Sequence, residues 1–301
     1  MKVRRIGAYG VCRDSAGRVL LARNSHLSTF QGLWTLPGGG VEQGEDPDDT
    51  VVREFAEETG LVVSRIGLRS VTADVFRLPG TDTWEHTDRI IYDVEPVGGS
   101  LRNEAEGTTD LVEWRRPDGL PLMPFTARVL GLPDTASDIP DDPDEIVART
   151  PGRGQRFGAY GVVTDPAGRM LLTQISAGYP GAGLWHLPGG GTDHGELPEA
   201  ALAREILEET GQHGRVTELL GTSHRHSPAE LGPEGVPIDW HVVRVLFRVL
   251  VDVPTEPVVT EEKGGSTAAA GWFDLATVSE MPLTEVTRAA AGRLAEETAH
   301  R

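Results

Sequence analysis

The stretch GGGVEQGEDPDDTVVREFAEETG, residues 38–60, and its counterpart GGGTDHGELPEAALAREILEETG, residues 189–211, decide how this chain is read. In the first, Asp46 is a suitable N-cap, Pro47 fits the first helical position, and Gly60 can take the left-handed conformation that ends a helix. A helix over roughly 47–59 is therefore predicted. Pro198 and Gly211 bracket the same element in the second copy. Glu54, Glu57 and Glu58 stand at i, i+3 and i+4 and share one face, as do Glu205, Glu208 and Glu209. Val51 and Phe55, with Val52 beside them, supply an apolar stripe on another face of the first helix.

Three like charges at this spacing cost a few tenths of a kcal/mol per pair. The plain reading is a solvated acidic face, relieved by Arg53 or Arg204 at i, i+4 to Glu57 or Glu208. A divalent cation reverses the sign of the interaction, because converging carboxylate oxygens are what Mg²⁺ and Mn²⁺ bind. Directly before each acidic loop and helix comes a triple glycine, where backbone can closely approach a metal or a phosphate. Simple turn geometry accounts for such glycines equally well.

Working outward, the repeat extends well past the helix. GAYGVCRDSAGRVLLA from Gly7 aligns without a gap to GAYGVVTDPAGRMLLT from Gly158, at a constant offset of 151 residues that holds through Gly60 and Gly211. Farther on, RIIYDV (89–94) resembles RVLFRV (244–249), and Trp114 precedes a segment like the one after Trp272. Each half reads as strand, turn, strand, short strand, triple glycine, helix, further strands and a closing helix, an α+β mixed-sheet class. The expected organisation is a domain over 1–131, an acidic, proline-rich linker over 132–156, and a second domain over 157–301. Two cores also suit 301 residues.

The glutamate spacing, taken with its flanks, resembles the Nudix hydrolase signature. Gly39, Glu45, Arg53, Glu54, Phe55, Glu57, Glu58, Gly60 and Leu61 fit it in the first half; Gly190, Glu196, Arg204, Glu205, Ile206, Glu208, Glu209 and Gly211 fit it in the second. The one departure is Gln212, where an apolar residue is expected. The resemblance implies two α/β/α sandwich domains that hydrolyse a nucleoside diphosphate linked to a further group, with Mg²⁺ or Mn²⁺ as cofactor. It implies that the metal is held by Glu54, Glu57 and Glu58 with the carbonyl of Gly38 or Gly39, and by Glu205, Glu208 and Glu209 with Gly189 or Gly190. Glu54 and Glu205 are the candidate general bases. Arg53 and Arg204 are expected to orient neighbouring carboxylates, and Glu45 and Glu196 either brace the loop or ligate an outer metal.

The copies are not chemically equal: Arg23, a candidate phosphate contact, corresponds to Gln174. The resemblance adds further candidates: Glu104 and Glu106 before Trp114 and Glu261 and Glu262 before Trp272, where many relatives carry an extra glutamate, and Pro228, 16 residues past the second signature, a spacing that some relatives associate with ADP-ribose hydrolysis; His224 and His226 are candidate pocket or metal residues. Tyr9, Tyr160, Trp34 and Trp185 read as packing residues. One domain catalytic and the other a non-cleaving regulatory nucleotide binder is the alternative to two active sites.

A formal net charge of −18 argues against a partner such as DNA or an anionic membrane but does not exclude a small phosphorylated substrate, and the resemblance implies a small nucleotide as the partner. Either a homodimer or pairing of the two halves within one chain is compatible with the sequence. Cys12 is the only cysteine, which fits a reducing cytoplasm. It lies in a strand-like segment as a small core residue. The apolar run VVRVLFRVLV (242–251) is too short and too arginine-bearing to span a bilayer and reads as a buried strand.

Overall fold

A computed structural model describes residues 1–78, 80–103, 107–133, 152–231, 236–260 and 265–299. The first half runs β1 (Lys2–Cys12), β2 (Val19–Asn24), β3 (Trp34–Thr35), β4 (Gly38–Gly40), α1 (Pro47–Thr59), β5 (Leu61–Arg77), β6 (Trp84–Gly99), β7 (Thr109–Arg115) and α2 (Pro124–Val129). Its strands form two sheets, β4-β1-β6-β5 and β3-β2-β7. The β1–β6 pair is parallel, from Lys2 opposite Trp84 to Cys12 opposite Val94, whereas β4 runs antiparallel to β1. The first sheet is thus mixed, as the order of elements predicts, whereas β3-β2-β7 is antiparallel throughout.

The second half repeats the plan as β8 (Arg153–Thr164), β9 (Met170–Ile175), β10 (Trp185–His186), β11 (Gly189–Gly191), α3 (Pro198–Thr210), β12 (Arg215–Leu231), β13 (Pro237–Leu250), β14 (Thr267–Phe273), α4 (Leu275–Val278) and α5 (Glu285–Ala299). Here the strands join in one sheet ordered β10-β9-β8-β13-β12, with β11 paired to β8 and β14 to β9. Backbone packing divides the chain into two compact units, residues 1–155 with 224–242, and residues 156–223 with 243–301. β8 begins at Arg153, inside the segment expected as linker, because the Asp239 amide donates to Gly152 O at 2.9 Å and continues the ladder. Residues 134–151 of that segment lie outside the described residues.

Apolar periodicity accounts for the cores. Val51 and Phe55 of α1 are fully buried, and Tyr9, Trp34, Leu36, Ile91 and Phe125 meet in one cluster. Tyr160, Leu172, Leu187 and Leu246 do so in the second half, with Trp185 packed at the edge. Gln212 is buried where the signature expects an apolar residue, and it is satisfied there. Its carboxamide donates to Thr255 Oγ1 (2.9 Å) and accepts from the Thr255 amide (3.0 Å). Cys12 is fully buried, and burial first, then Asp14 and Glu95, pushes its thiol up to about 11, so it stays protonated. Among the described residues no helix is long and apolar enough to cross a membrane.

Candidate active site

Helix α1 begins as its sequence dictates: the Asp46 side chain accepts from the Asp48 amide, Pro47 follows, and Gly60 closes the helix at φ 73°. These punctuation marks fix which face carries Glu54, Glu57 and Glu58. Arg53 ties Glu54 and Glu57 of that face to the preceding loop. Its Nε donates to Glu45 Oε1 (2.7 Å), its Nη2 to Glu45 Oε2 (2.9 Å) and Gly40 O (3.1 Å), and its Nη1 to Glu54 Oε1 (2.9 Å) and Glu57 Oε2 (3.2 Å). The repulsion noted from spacing alone is therefore offset by one guanidinium, whose fork suits several carboxylates at once.

The second half reproduces this almost atom for atom. Arg204 donates to Glu196 through Nε and Nη2 (both 3.0 Å), to Gly191 O (3.2 Å), to Glu205 Oε1 (2.9 Å) and to Glu208 Oε2 (3.2 Å). Glu45 braces the loop as well, accepting from Thr50 Oγ1 (2.7 Å) and the Glu42 amide (3.0 Å). Burial alone would raise the Glu45 carboxyl, but the hydrogen bonds from Arg53, Glu42 and Thr50 hold it below the ordinary carboxylate value.

Glu54 differs from its neighbours. Its carboxyl lies against Gly39, where an added Cβ would come within 2.5 Å of Oε1; Gly190 relates to Glu205 in the same way. Only glycine leaves that space. Burial raises the Glu54 and Glu205 carboxyls above the usual range in spite of the adjacent arginines. Glu57 is exposed, and Glu208 is partly so. Glu58 is buried and oriented from both sides, by the Gly38 amide (3.0 Å) and Thr109 Oγ1 (3.1 Å). Glu209 is held equally by the Gly189 amide (2.9 Å) and Thr267 Oγ1 (2.6 Å).

Sequence reasoning missed the two threonines. The signal was available, since each stands five residues before the tryptophan that aligns the C-terminal parts of the repeats. With that, each half carries the same loop, the same helix and the same ring of carboxylates about one arginine. A family model for the NUDIX domain matches residues 3–130 and 154–295. The chain belongs to the NUDIX family.

It holds two Nudix domains in tandem. Relatives include an ADP-ribose pyrophosphatase of Methanocaldococcus jannaschii, 35% identical over 30% of this chain and 50% of that protein. A second is a putative 8-oxo-dGTP diphosphatase 3 of Mycobacterium tuberculosis, 32% identical over 48% of this chain and 64% of that protein. The chain thus spans about half to two thirds of these relatives' lengths. Among solved structures, a MutT NUDIX hydrolase from Burkholderia pseudomallei is 32% identical over 46% of this chain and 97% of that one, with a TM-score of 0.35.

The remaining candidates of this Nudix chain scatter. Arg23 pairs with Asp110 (2.8 Å) with its guanidinium 5.9 Å from the Trp34 ring centre. His224 lies 3.5 Å from Asp46 and His226 2.6 Å from Asp239. With His241 they form a histidine cluster, ring centres 5.7 and 6.0 Å apart, within the first compact unit. Among the described residues no group of His, Cys, Asp or Glu is assembled at metal-binding distances. The glutamate ring is spread around Arg53 or Arg204 instead. Pro228 lies within β12. Glu104, Glu106, Glu261 and Glu262 lie outside the described residues.

Proposed function

We propose that the chain is a tandem, divalent-cation-dependent pyrophosphohydrolase, each half cleaving the diphosphate linkage of a nucleoside diphosphate derivative. The supporting observation is the twice-built cradle in which a shielded Glu54 or Glu205 and a more open Glu57 or Glu208 share one arginine, while the next residue, Glu58 or Glu209, is oriented separately by a glycine amide and a threonine hydroxyl. The donor set is all oxygen, which fits Mg²⁺ or Mn²⁺ and not a thiolate- or imidazole-seeking metal. Glu54, Glu57 and Glu58 would hold it with a glycine carbonyl of residues 38–39, and Glu205, Glu208 and Glu209 with one of residues 189–190. Bound there, such a cation supplies neutralisation of the diphosphate and acidification of water.

The chain's own residues do the rest. Glu54 and Glu205, with carboxyls raised by burial, are placed to accept a proton from water attacking phosphorus. Arg53 and Arg204 keep the paired carboxylates in position. In the first half a mostly apolar cavity of about 620 Å³ is lined by Phe30, Leu33, Phe76, Asp118, Leu120 and Leu122, and no residue of the glutamate cradle lines it. The names of the relatives direct the substrate search to ADP-ribose and to oxidised nucleoside triphosphates. A second reading, one half cleaving and the other only binding, draws on the differences Arg23 to Gln174 and Thr35 to His186.

Turnover of a nucleotide panel with Mg²⁺ by the parent, Glu57→Gln and Glu208→Gln tests both readings. Two active sites predict partial loss in each single variant and loss of at least about a hundredfold in the double. No hydrolysis of any diphosphate by the parent overturns the proposal. Full activity in one single variant assigns that half a non-cleaving role.

A further inference from the structure

We propose that Arg5 and Arg156 are the cations that receive the substrate's diphosphate beside the glutamate cradle of each half, an inference that rests on the hydrolase reading. Arg5 lies on β1 two residues before Gly7, whose ladder partner is Gly40. Its guanidinium lies over that glycine: a Cβ on Gly40 would sit 3.2 Å from both Nε and Nη2. Arg156 covers Gly191 likewise, at 2.8 and 3.0 Å. The preceding glycines, Gly39 and Gly190, carry the carboxyls of Glu54 and Glu205 on their other side. Cation and candidate base are therefore set one residue apart along the same short strand, and the positive field of Arg5 acts on Glu54 as that of Arg156 acts on Glu205.

What separates these two arginines from the other candidates is that their donors are uncommitted. Neither guanidinium makes a hydrogen bond or ion pair with a described residue. Arg53 and Arg204 have Nε, Nη1 and Nη2 all engaged with carboxylates and a carbonyl. Arg23 is engaged by Asp110 and is replaced by Gln174 in the second half. A solvated surface arginine would have no reason to recur at the 151-residue offset against the same glycine and the same glutamate. In a chain of net charge −18, an anion approaching a ring of carboxylates needs a local cation, and the planar guanidinium matches phosphate oxygens in pairs.

The test uses the full chain. Arg5→Gln is made in the Glu208→Gln background, which isolates the first site, and Arg156→Gln in the Glu57→Gln background. Each should raise KM for the diphosphate substrate about tenfold or more, with Arg→Lys recovering part of the loss. Calorimetric titration of inorganic pyrophosphate with Mg²⁺ should show about tenfold weaker binding by the Arg5→Gln, Arg156→Gln double variant than by the parent. Its thermal midpoint should change little, since no hydrogen bond or ion pair with a described residue is lost and only the longer-range attraction to Glu54 and Glu205 goes. Unchanged pyrophosphate affinity in the double variant, or no pyrophosphate binding by the parent, overturns the assignment. Pyrophosphate binding that depends on both arginines in a parent without turnover supports the anion site and counts against hydrolysis.

Discussion

Thr109 and Thr267 are small residues, yet each hydroxyl donates to the inner glutamate of its cradle, Glu58 or Glu209, opposite a glycine amide. Replacing either by valine keeps the shape and removes the donor, a loss of about 1 kcal/mol of orientation. In the corresponding single-site background, Thr109→Val and Thr267→Val should shift the Mg²⁺ dependence of activity to about three- to tenfold higher concentration. An unchanged Mg²⁺ titration would mean that the hydroxyl serves packing alone. Arg53 and the glutamates were legible in the sequence because helical spacing places them. The threonines were not, because a strand residue that reaches a helix fifty residues away leaves no local period. Arg5 and Arg156 escaped for another reason: a repeat alignment opened at Gly7 and Gly158 stops two residues short of them.

Helices α1 and α3 are the same length and carry the same carboxylates, yet they start differently. Asp46 caps α1, whereas Leu197 begins α3 with no side-chain cap and is half exposed. Leu197→Ser should therefore stabilise the second half by about 1 kcal/mol, and Asp46→Ala should cost the first half a similar amount or more, because His224 also contacts Asp46. Thermal unfolding of the two variants checks this, and a neutral Leu197→Ser would show that the end of α3 is held by packing. Helix ends were readable because proline, aspartate and glycine act locally. The parallel pairing of β1 with β6 and the single joined sheet of the second half depend on contacts far apart in sequence, which strand composition does not encode. The buried Gln212 was readable only as a departure, since its partner Thr255 lies 43 residues on.

Across the whole molecule, two desolvated imidazoles link stability to pH. Burial, then Arg244, lowers His186 to about 4, and burial, then His224 and His226, lowers His241 to about 4. Asp239 and Asp46 act on His241 in the opposite direction without cancelling the shift. In the unfolded chain both titrate near 6.5, so between about pH 6.5 and 4 the unfolded state binds more protons than the folded one. Stability should fall as pH falls through that window, by at most about 1.4 kcal/mol per pH unit for each histidine. His186→Asn and His241→Gln should each flatten the slope of thermal midpoint against pH. Slopes identical to the parent's would show that other groups set the acid limb.

Because Arg53 and Arg204 each tie three of the crowded carboxylates by hydrogen bonds, the frame is expected to persist without a metal, unlike small domains that fold only around their ion. Chelation with EDTA should abolish turnover while moving the melting temperature by no more than about 2 °C, and added Mg²⁺ should restore activity without a refolding delay. Each half would then be a rechargeable socket, whose occupancy follows the free cation concentration around it and can change without disturbing the frame.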